Sequence, residues 1–551
     1  MSSGSQAQPV EDATTALESV PDQKTRRYDR QLRLWASSGQ AALESSHILV
    51  LNSSSTSTSI LKNLVLPGIG AFTILDRTTT SPSDAGNNFF LEGLDSVGKP
   101  RAEEAVRLLL ELNDGVKGNS IVEKDIQEVL ASEGEKGTEW IKSFSLIIAH
   151  NLEKIALDRL ADVLWADFES PPLFIVRSAG FLAEVSIQFH EHAIIESHIE
   201  SSPSLRIDKP FPKLLQHSLS LDFDGMDVTD HGHIPYVYIL VRVLEDWKKS
   251  HDGKPPKTTA EKKEFKEIIS KMRKKADEEN FEEAEAQAYR CWTETVVPSD
   301  VKSIFTPLST PSPSHTKPFR ILLRALEVYT TTVPPYTLPL SATLPDMKAS
   351  TSQYVDLQTL YKERAVEERD AFRAVLDKVL QEQGENPSLI DDETVTNFVK
   401  HSHILRLLRG KKWGWLEESP DTLATLVQTS PKQLAIHLAL SALASLQTKH
   451  ALATAQSKST KEQETEFQPK LEDLITEAKS LLPTGVEFED DTDFENAIGE
   501  AARSPTADLP NTAALLGGIV AQEVIKMTTK QYVPIDGICT IDLVETWTGL
   551  L

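Results

Sequence analysis

The stretch HILVLNSSSTSTSILKNLVLPGIGAFTILD, residues 47–76, decides the fold. It begins with the apolar run 47–52, which has the length and composition of a buried strand. A helical pattern follows over 59–68 and stops at a Pro-Gly pair, and a second apolar run covers 71–76. The order strand, helix, strand, with both strands apolar on both faces, predicts the start of a parallel sheet.

The same alternation continues for another hundred residues. Helical patterns over 99–113 and 155–168 precede apolar runs at 145–150 and 173–177, and 183–190 alternates apolar and polar residues like a half-exposed strand. We therefore predict an α/β domain with a Rossmann-like parallel sheet that helices cover on both faces.

From about residue 190 the pattern becomes mainly helical, and the last 45 residues return to α/β character. There, 511–527 is an apolar helix and 532–544 has the pattern of a hairpin around Asp536-Gly537. The α/β domain is thus expected to be assembled from both chain ends. The predicted segments are a disordered tail (1–24), the first part of the α/β domain (25–190), a large mainly helical insertion (191–504) and the C-terminal part of the α/β domain (505–551).

Helices and loops alternate within the predicted insertion. Loops rich in Ser, Thr and Pro lie at 306–318 and 331–345, and a polar stretch at 448–470 has the composition of a surface excursion. An apolar run over 434–446 is too short to span a bilayer and indicates a buried helix. The other helices are predicted at 235–250, 260–292, 319–329, 356–383 and 393–410.

Composition excludes several functional classes. Fifty-seven Lys and Arg against 82 Asp and Glu give a net charge of −25, so phosphate backbones would be repelled and no nucleic-acid partner is expected. The basic run from Lys254 to Lys275 is balanced by acids, since 251–290 holds ten residues of each sign. No signal peptide or membrane segment is visible, and two cysteines in 551 residues fit the reducing cytoplasm or nucleus.

The turn between the first strand and the first helix, residues 52–59, contains no glycine. Nucleotide-binding α/β domains place glycines there, because the backbone must approach a phosphate beside the helix N-terminus. Asp76 ends the second strand, where a ribose-binding acid would lie, and it is equally consistent with a strand-end cap. We therefore expect this turn to bind neither ATP nor NAD. In the C-terminal helix, Gly517 and Gly518 indicate a close approach by another element.

Several motifs together resemble ubiquitin-like-modifier-activating enzymes. They are YDRQLRLW (28–35), ILKNL (60–64) and GGxxAQExxK (517–526). Within that family, the chain is most similar to the regulatory, non-catalytic subunits of Nedd/Rub-type activating enzymes, and the similarity extends over nearly the whole chain from about residue 24. The stretches that carry this finer resemblance are 64–70, 84–90, 160–165, 208–212 and 344–347.

The resemblance implies four lost positions in the adenylation site. The family's glycines fall on Asn52, Ser54, Ser55 and Ser57, and its Asn-Arg-Gln falls on Asn87-Asn88-Phe89. Its lysine falls on Arg101, and its magnesium-binding aspartate falls at or beside His150-Asn151. The chain is therefore expected to be no enzyme on its own and to hold no cofactor or metal. ATP and magnesium would bind at a partner's site.

The family's catalytic cysteine is also expected to be missing. Cys291 lies in a helical run with acids around it, and Cys539 lies in the terminal hairpin, so neither has the electropositive setting of a nucleophile. His401 and His403, with Asp391 and Asp392 nearby, have no metal-binding spacing, and His190 and His192 are interpreted as surface residues.

One residue keeps a role by resemblance. In the family, the arginine of the YDRQ segment enters the partner's ATP site, so Arg30 is a candidate catalytic residue supplied in trans. The implied partners are a catalytic activating-enzyme subunit, in a heterodimer, and a Nedd/Rub-type modifier that is loaded on the partner's cysteine as a thioester.

Three alternatives remain open. The non-catalytic half of a SUMO-type activating enzyme typically has a smaller insertion than the roughly 300 residues between 190 and 500. A stand-alone Rossmann oxidoreductase requires glycines in the first turn. A non-enzymatic adaptor would leave the YDRQ and GGxxAQExxK motifs without a role.

Overall fold

The computed structural model describes residues 22–132, 134–456 and 467–551, so nearly all of the predicted tail 1–24 lies outside the described residues. The chain forms two compact units. The first unit runs to Phe189 and continues with Lys411–Thr529 and Pro534–Leu551, and the second comprises His190–Gly410 and Lys530–Val533.

The N-terminal part of the first unit alternates helices and strands. In chain order these are α1 (Gln23–Ser45), β1 (His47–Leu51), α2 (Ser55–Val65), β2 (Ala71–Leu75), α3 (Pro82–Asn87), α4 (Arg101–Leu110), β3 (Lys117–Ile121), α5 (Ile126–Ser132), α6 (Glu135–Lys142), β4 (Leu146–His150), α7 (Lys154–Trp165), β5 (Leu173–Ala179) and β6 (Leu182–Gln188).

The second unit is mainly helical, as predicted for the insertion. Its elements are β7 (Glu191–Ile194), α8 (Pro212–Ser220), α9 (Val228–His231), α10 (Tyr236–Ser250), α11 (Thr259–Lys271), α12 (Glu279–Gln287), α13 (Ser299–Ser303), α14 (Lys317–Thr332), α15 (Thr351–Glu382), α16 (Asp392–Lys400) and β8 (Arg406–Arg409). Strands β7 and β8 pair antiparallel. The C-terminal part of the first unit adds α17 (Pro420–Thr429), α18 (Pro431–Gln456), α19 (Leu471–Ser480), α20 (Thr492–Arg503), α21 (Pro510–Thr529), β9 (Ile538–Asp542) and β10 (Trp547–Leu550).

One eight-stranded sheet organises the described part of the first unit, in the order β10-β9-β6-β5-β4-β1-β2-β3. Strands β1 to β5 pair in parallel, and β6, β9 and β10 extend the sheet through antiparallel pairs. The central strands are buried because helices cover both faces. The predicted Rossmann-like fold, assembled from both chain ends around a mainly helical insertion, is confirmed.

The insertion is shorter than predicted, because the chain rejoins the first unit at Lys411 and not after residue 504. Helix α18, the predicted buried helix, packs with α20 into one apolar core that also includes Leu182 and Ile538 of the sheet. These apolar helices cover the antiparallel strands of the sheet. The pattern of a helix shows that one face is apolar, but it does not show which other elements that face packs against.

Three other predictions of local structure are corrected. The helix predicted over 393–410 ends at Lys400, because residues 406–409 pair with β7 as a strand. The helix predicted over 260–292 is interrupted at 272–278, where the Glu278 carboxylate accepts a hydrogen bond from the backbone of Lys274. The C-terminal hairpin turns after Asp542, whose carboxylate accepts hydrogen bonds from the amides of Val544 and Glu545, and Asp536-Gly537 precedes β9.

Candidate functional site

The turn after β1 is stabilised by serine side chains and not by glycines. Asn52 adopts a positive φ of 84°, a conformation that asparagine tolerates. Helix α2 starts at Ser55, four residues before the predicted start, because the Ser54 hydroxyl caps it by accepting a 3.0 Å hydrogen bond from the Ser57 amide. The N-terminus of α2 therefore carries its own side-chain cap.

A carboxylate from the other end of the chain also binds this helix N-terminus. Asp508 accepts hydrogen bonds from the amide of Thr56 at 3.1 Å and from the Thr56 hydroxyl at 2.7 Å. A negative charge is favoured there by the free amides and by the helix dipole, which are the features that attract phosphate groups in nucleotide-binding folds. Asp508 was not among the sequence-predicted residues.

Arg101, at the family's lysine position, points into a ring of oxygen acceptors. Its guanidinium contacts Asp76 at 2.8 Å and Asp84 at 2.9 Å, and it donates to the Asn52 side chain at 2.6 Å. Burial of Arg101 opposes its charge, but the two carboxylates outweigh this effect and raise its pKa. Asp76 also accepts hydrogen bonds from the amides of Ser53 and Thr78, so both sides of its carboxylate are bonded within the chain.

His150 occupies the end of β4, where the family places its magnesium-binding aspartate. Its two ring nitrogens lie 2.7 Å from the Ser54 hydroxyl and 2.9 Å from the Ser178 hydroxyl. Burial lowers the pKa of this imidazole, the nearby Asp508 acts in the opposite direction, and Arg101 lowers the pKa further. The neutral ring thus links the α2 cap to the end of β5 by hydrogen bonds.

The Asn87-Asn88-Phe89 segment has two different roles. The Asn87 carbonyl accepts from the Ser55 hydroxyl, and the Asn88 side chain accepts from the Thr58 hydroxyl, both at 2.9 Å. Phe89 instead is 81% exposed, and Leu94 on the same connection is 80% exposed. The two asparagines therefore fix the start of α2, and the apolar side chains form an outward-facing surface.

The polar groups around the α2 N-terminus therefore bond one another. The carboxylates of Asp76, Asp84 and Asp508 all have partners within the chain. A phosphate brought to the start of α2 would have to displace Asp508 and would meet its negative charge. This arrangement of internally bonded polar groups is chemically suited to a structural core.

We expect Asp508→Ala to lower the free energy of unfolding by about 0.5–2 kcal/mol, the range measured for lost N-terminal helix caps. The Thr56 amide and hydroxyl would lose their acceptor, and the helix dipole would lose its counter-charge. Asp508→Asn, which keeps an acceptor oxygen but no charge, should lose less. Urea denaturation of the three proteins measures the effect, and equal midpoints would contradict the capping role.

Arg30 lies on the exposed side of α1. Among the described residues it has no hydrogen-bond or ion-pair partner, whereas Arg27 pairs with Asp114 at 2.8 Å and Arg33 pairs with Asp29 at 3.2 Å. The ion pair of Arg30 with Asp29, which would have given it a purely local role, is absent from the described part of the chain. No described residue of this chain therefore occupies the Arg30 guanidinium.

Both cysteines are buried and unpaired. Burial raises the pKa of the Cys291 thiol, which lies in a 3₁₀ turn at 288–291, and burial also raises the pKa of the Cys539 thiol on β9. A nucleophile must be an accessible thiolate, so both environments are unfavourable for thioester formation.

The aspartate and the histidine at the two ends of α16 have structural contacts. Asp391 caps the helix through the Thr394 amide at 2.7 Å, and His401 contacts the Asn397 carbonyl at 3.0 Å. His192, interpreted above as a surface residue, is buried, and burial lowers its pKa to about 3. Across residues 22–132, 134–456 and 467–551, no group of three or more potential metal ligands is found. None of the helices in these ranges combines the length and hydropathy that a membrane span needs.

The two glycines of α21 have different environments. A Cβ on Gly517 would lie 2.7 Å from Ser59 Cβ and 2.9 Å from the Ser59 carbonyl, so α2 and α21 meet closely at this point. Gly518 is exposed, and a Cβ there would meet no atom within 4 Å. The predicted close approach is therefore confirmed at Gly517 and is wrong for Gly518.

Comparison with known proteins gives the family. A model of the ThiF family matches residues 28–211. The NEDD8-activating enzyme E1 regulatory subunit of Xenopus laevis is 34% identical over 527 residues, which cover 93% of this chain and 95% of that protein. This chain belongs to the NEDD8-activating enzyme E1 regulatory subunits. The corresponding subunit of Caenorhabditis elegans is 32% identical over 95% of this chain and 98% of its own length. For AXR1 of Arabidopsis thaliana the identity is 31%, over 93% of each chain.

The Nedd/Rub-type resemblance inferred from the motifs is thereby confirmed, as is the predicted Rossmann-like α/β domain. The residue that the sequence did not reveal is Asp508, which lies 452 positions from Thr56 in the chain. Its neighbours, TADLPNTAA (506–514), indicate only a helix start.

Proposed function

We propose that this NEDD8-activating enzyme E1 regulatory subunit is a pseudo-adenylation half that completes a heterodimer without catalysing either step itself. The partner chain would adenylate the C-terminal glycine of a Nedd/Rub-type modifier with ATP and magnesium, and would then take the modifier onto its own cysteine as a thioester. The setting would be the cytoplasm, the nucleus or both.

The bonded state of the α2 N-terminus is the observation that carries this proposal. Asp508 occupies the position at which a phosphate would be bound, and Arg101 is engaged with Asp76 and Asp84. Four substituted positions around one site support a loss of nucleotide binding better than a change at a single position would.

Two exposed apolar side chains separately support association with a catalytic subunit. Phe89 and Leu94 are the two most exposed large apolar side chains among the described residues, and they lie on one connection beside the α2 N-terminus. Exposed apolar surface of this kind is typical of sites that a partner covers. The net charge of −25 further suits a modifier with a basic face.

The proposal places the thioester cysteine on the partner, and a reconstituted reaction tests this. A Cys291→Ala, Cys539→Ala protein mixed with the catalytic subunit, ATP and modifier is expected to give the wild-type amount of thioester, seen as a reductant-sensitive band. Omitting this chain should abolish loading, since the partner alone lacks its other half. Loss of loading by a folded double variant would locate the nucleophile on this chain.

A further inference from the structure

Arg320, on α14 of the second unit, is a buried cation without an acidic partner. Only 2% of the Arg320 surface is exposed to solvent. Its Nη1 donates to the Thr310 carbonyl at 2.6 Å, and its Nη2 donates to the Pro307 carbonyl at 2.8 Å. Its Nε has no hydrogen-bond partner, and in the described ranges no carboxylate lies within 4 Å of its guanidinium nitrogens. Buried charges in proteins are normally paired. The Arg320 guanidinium is an exception, because no described carboxylate serves as its counter-ion.

The carbonyls that Arg320 binds belong to the predicted Ser/Thr/Pro loop at 306–318. A turn closes between them, with the Thr310 amide donating to the Pro307 carbonyl at 3.1 Å. The loop contains three hydroxyl residues followed directly by proline, namely Thr306, Thr310 and Ser312. Proline-directed protein kinases recognise this dipeptide in accessible, irregular backbone.

The three hydroxyls differ in accessibility. Thr310 is exposed and its hydroxyl is bonded to none of the described residues, whereas Thr306 is half-buried and its hydroxyl lies 3.4 Å from the Ile304 carbonyl. Ser312 is half-buried. Thr310 is therefore the residue that a kinase would reach first, and it is also the residue whose carbonyl contacts the buried guanidinium.

We propose that Thr310 is a phosphorylation site for a proline-directed protein kinase and that Arg320 is the internal cation that stabilises the phosphorylated loop. The Thr310 Oγ1 would attack the γ-phosphorus of ATP bound to the kinase. A new P–O bond forms, the bond to the leaving ADP breaks, and the hydroxyl proton passes to the kinase's base. This site lies in the second unit, outside the α/β domain.

Phosphorylation would supply the negative charge that the Arg320 guanidinium lacks. A phosphothreonine carries roughly −1.5 to −2 charges at neutral pH, and its acceptor oxygens suit a guanidinium. The modification would place that charge on the residue whose backbone is already held 2.6 Å from Arg320. The phosphate should therefore strengthen the contact between the loop and α14.

The site is tested by treating the folded full-length chain with an active proline-directed kinase and radiolabelled ATP, with the sites assigned by mass spectrometry. Thr310→Val is expected to remove most of the label, and the matched control Thr306→Val to leave it unchanged. Pro311→Ala, which keeps the hydroxyl, should slow labelling by about tenfold, because the recognition dipeptide is lost. An unlabelled native chain, or equal labelling of wild type and Thr310→Val, would overturn the site.

The role of Arg320 has its own measurement. Phosphorylation is expected to raise the melting temperature of the wild-type chain by at least about 2 °C, and Arg320→Met should remove this increase. Arg320→Lys, which keeps the cation, should retain part of it and serves if the methionine variant does not fold. A melting temperature that stays constant or falls on phosphorylation of the wild type would overturn the pairing with Arg320.

Discussion

Replacing Arg30 with alanine is expected to slow adenylate formation by the reconstituted heterodimer by about 10²-fold or more, by analogy with arginines supplied in trans to phosphoryl groups. Negative charge concentrates on the phosphates of ATP as pyrophosphate leaves. A cation held in place beforehand stabilises that transition state more than the ground state. Arg30 is exposed and has no partner in the described part of this chain, which is consistent with the proposed role of its guanidinium in the partner's site. ATP–pyrophosphate exchange in the presence of the modifier measures the effect.

The controls for Arg30 lie on the same helix. Arg33→Ala should leave exchange unchanged, because Arg33 pairs with Asp29 within α1. Arg30→Lys should restore only part of the rate, since an ammonium keeps the charge but not the planar fork. Dimer assembly should change little, because one exposed side chain is a small part of a large interface. Equal exchange by wild type and Arg30→Ala, at matched dimer concentration, would reduce Arg30 to an ordinary surface charge.

Gly517→Leu is expected to lower the free energy of unfolding by about 3 kcal/mol or more, at the upper end of the cost of overfilling a packed interior. A Cβ at this position would meet both the side chain and the backbone of Ser59, and backbone atoms cannot rotate away. Helix α2, which follows the first turn, and helix α21, which contains the GGxxAQExxK motif, would have to separate. Thermal or urea unfolding of the purified variant measures the loss.

Gly518→Leu is the matched control for this substitution. A Cβ added at this exposed position would meet no described atom within 4 Å, and leucine is the better helix former. The isolated variant should therefore be as stable as wild type or more stable, by up to about 1 kcal/mol. Similar losses for the two variants would contradict the close approach of α2 and α21 at Gly517.

The strands that the sequence predicted are those whose burial is visible in their composition. β1, β2 and β4 are continuous apolar runs, because helices cover both of their faces. β3 was not predicted, since KGNSI is a polar strand at the sheet edge. The local pattern at 406–409 predicts helix, but these residues form β8 because pairing with β7, more than 200 positions away, outweighs that pattern.

The sequence predicts those features of the candidate site that depend on the residue type at a single position. The lack of glycines in the first turn is visible in the sequence, and so is the change from lysine to Arg101. The contact of Asp508 with Thr56 depends on the meeting of both chain ends, and no local pattern marks it. Likewise, a Gly-Gly pair does not reveal which of its members faces α2.

We propose that this chain is an adenylation half whose own phosphate position is filled by its side chains. Calorimetric titration of magnesium and ATP into the isolated chain tests it most directly, with the reconstituted heterodimer as the positive control. We expect no binding by the isolated chain and a single ATP site in the heterodimer. A micromolar ATP site on the isolated chain would contradict it.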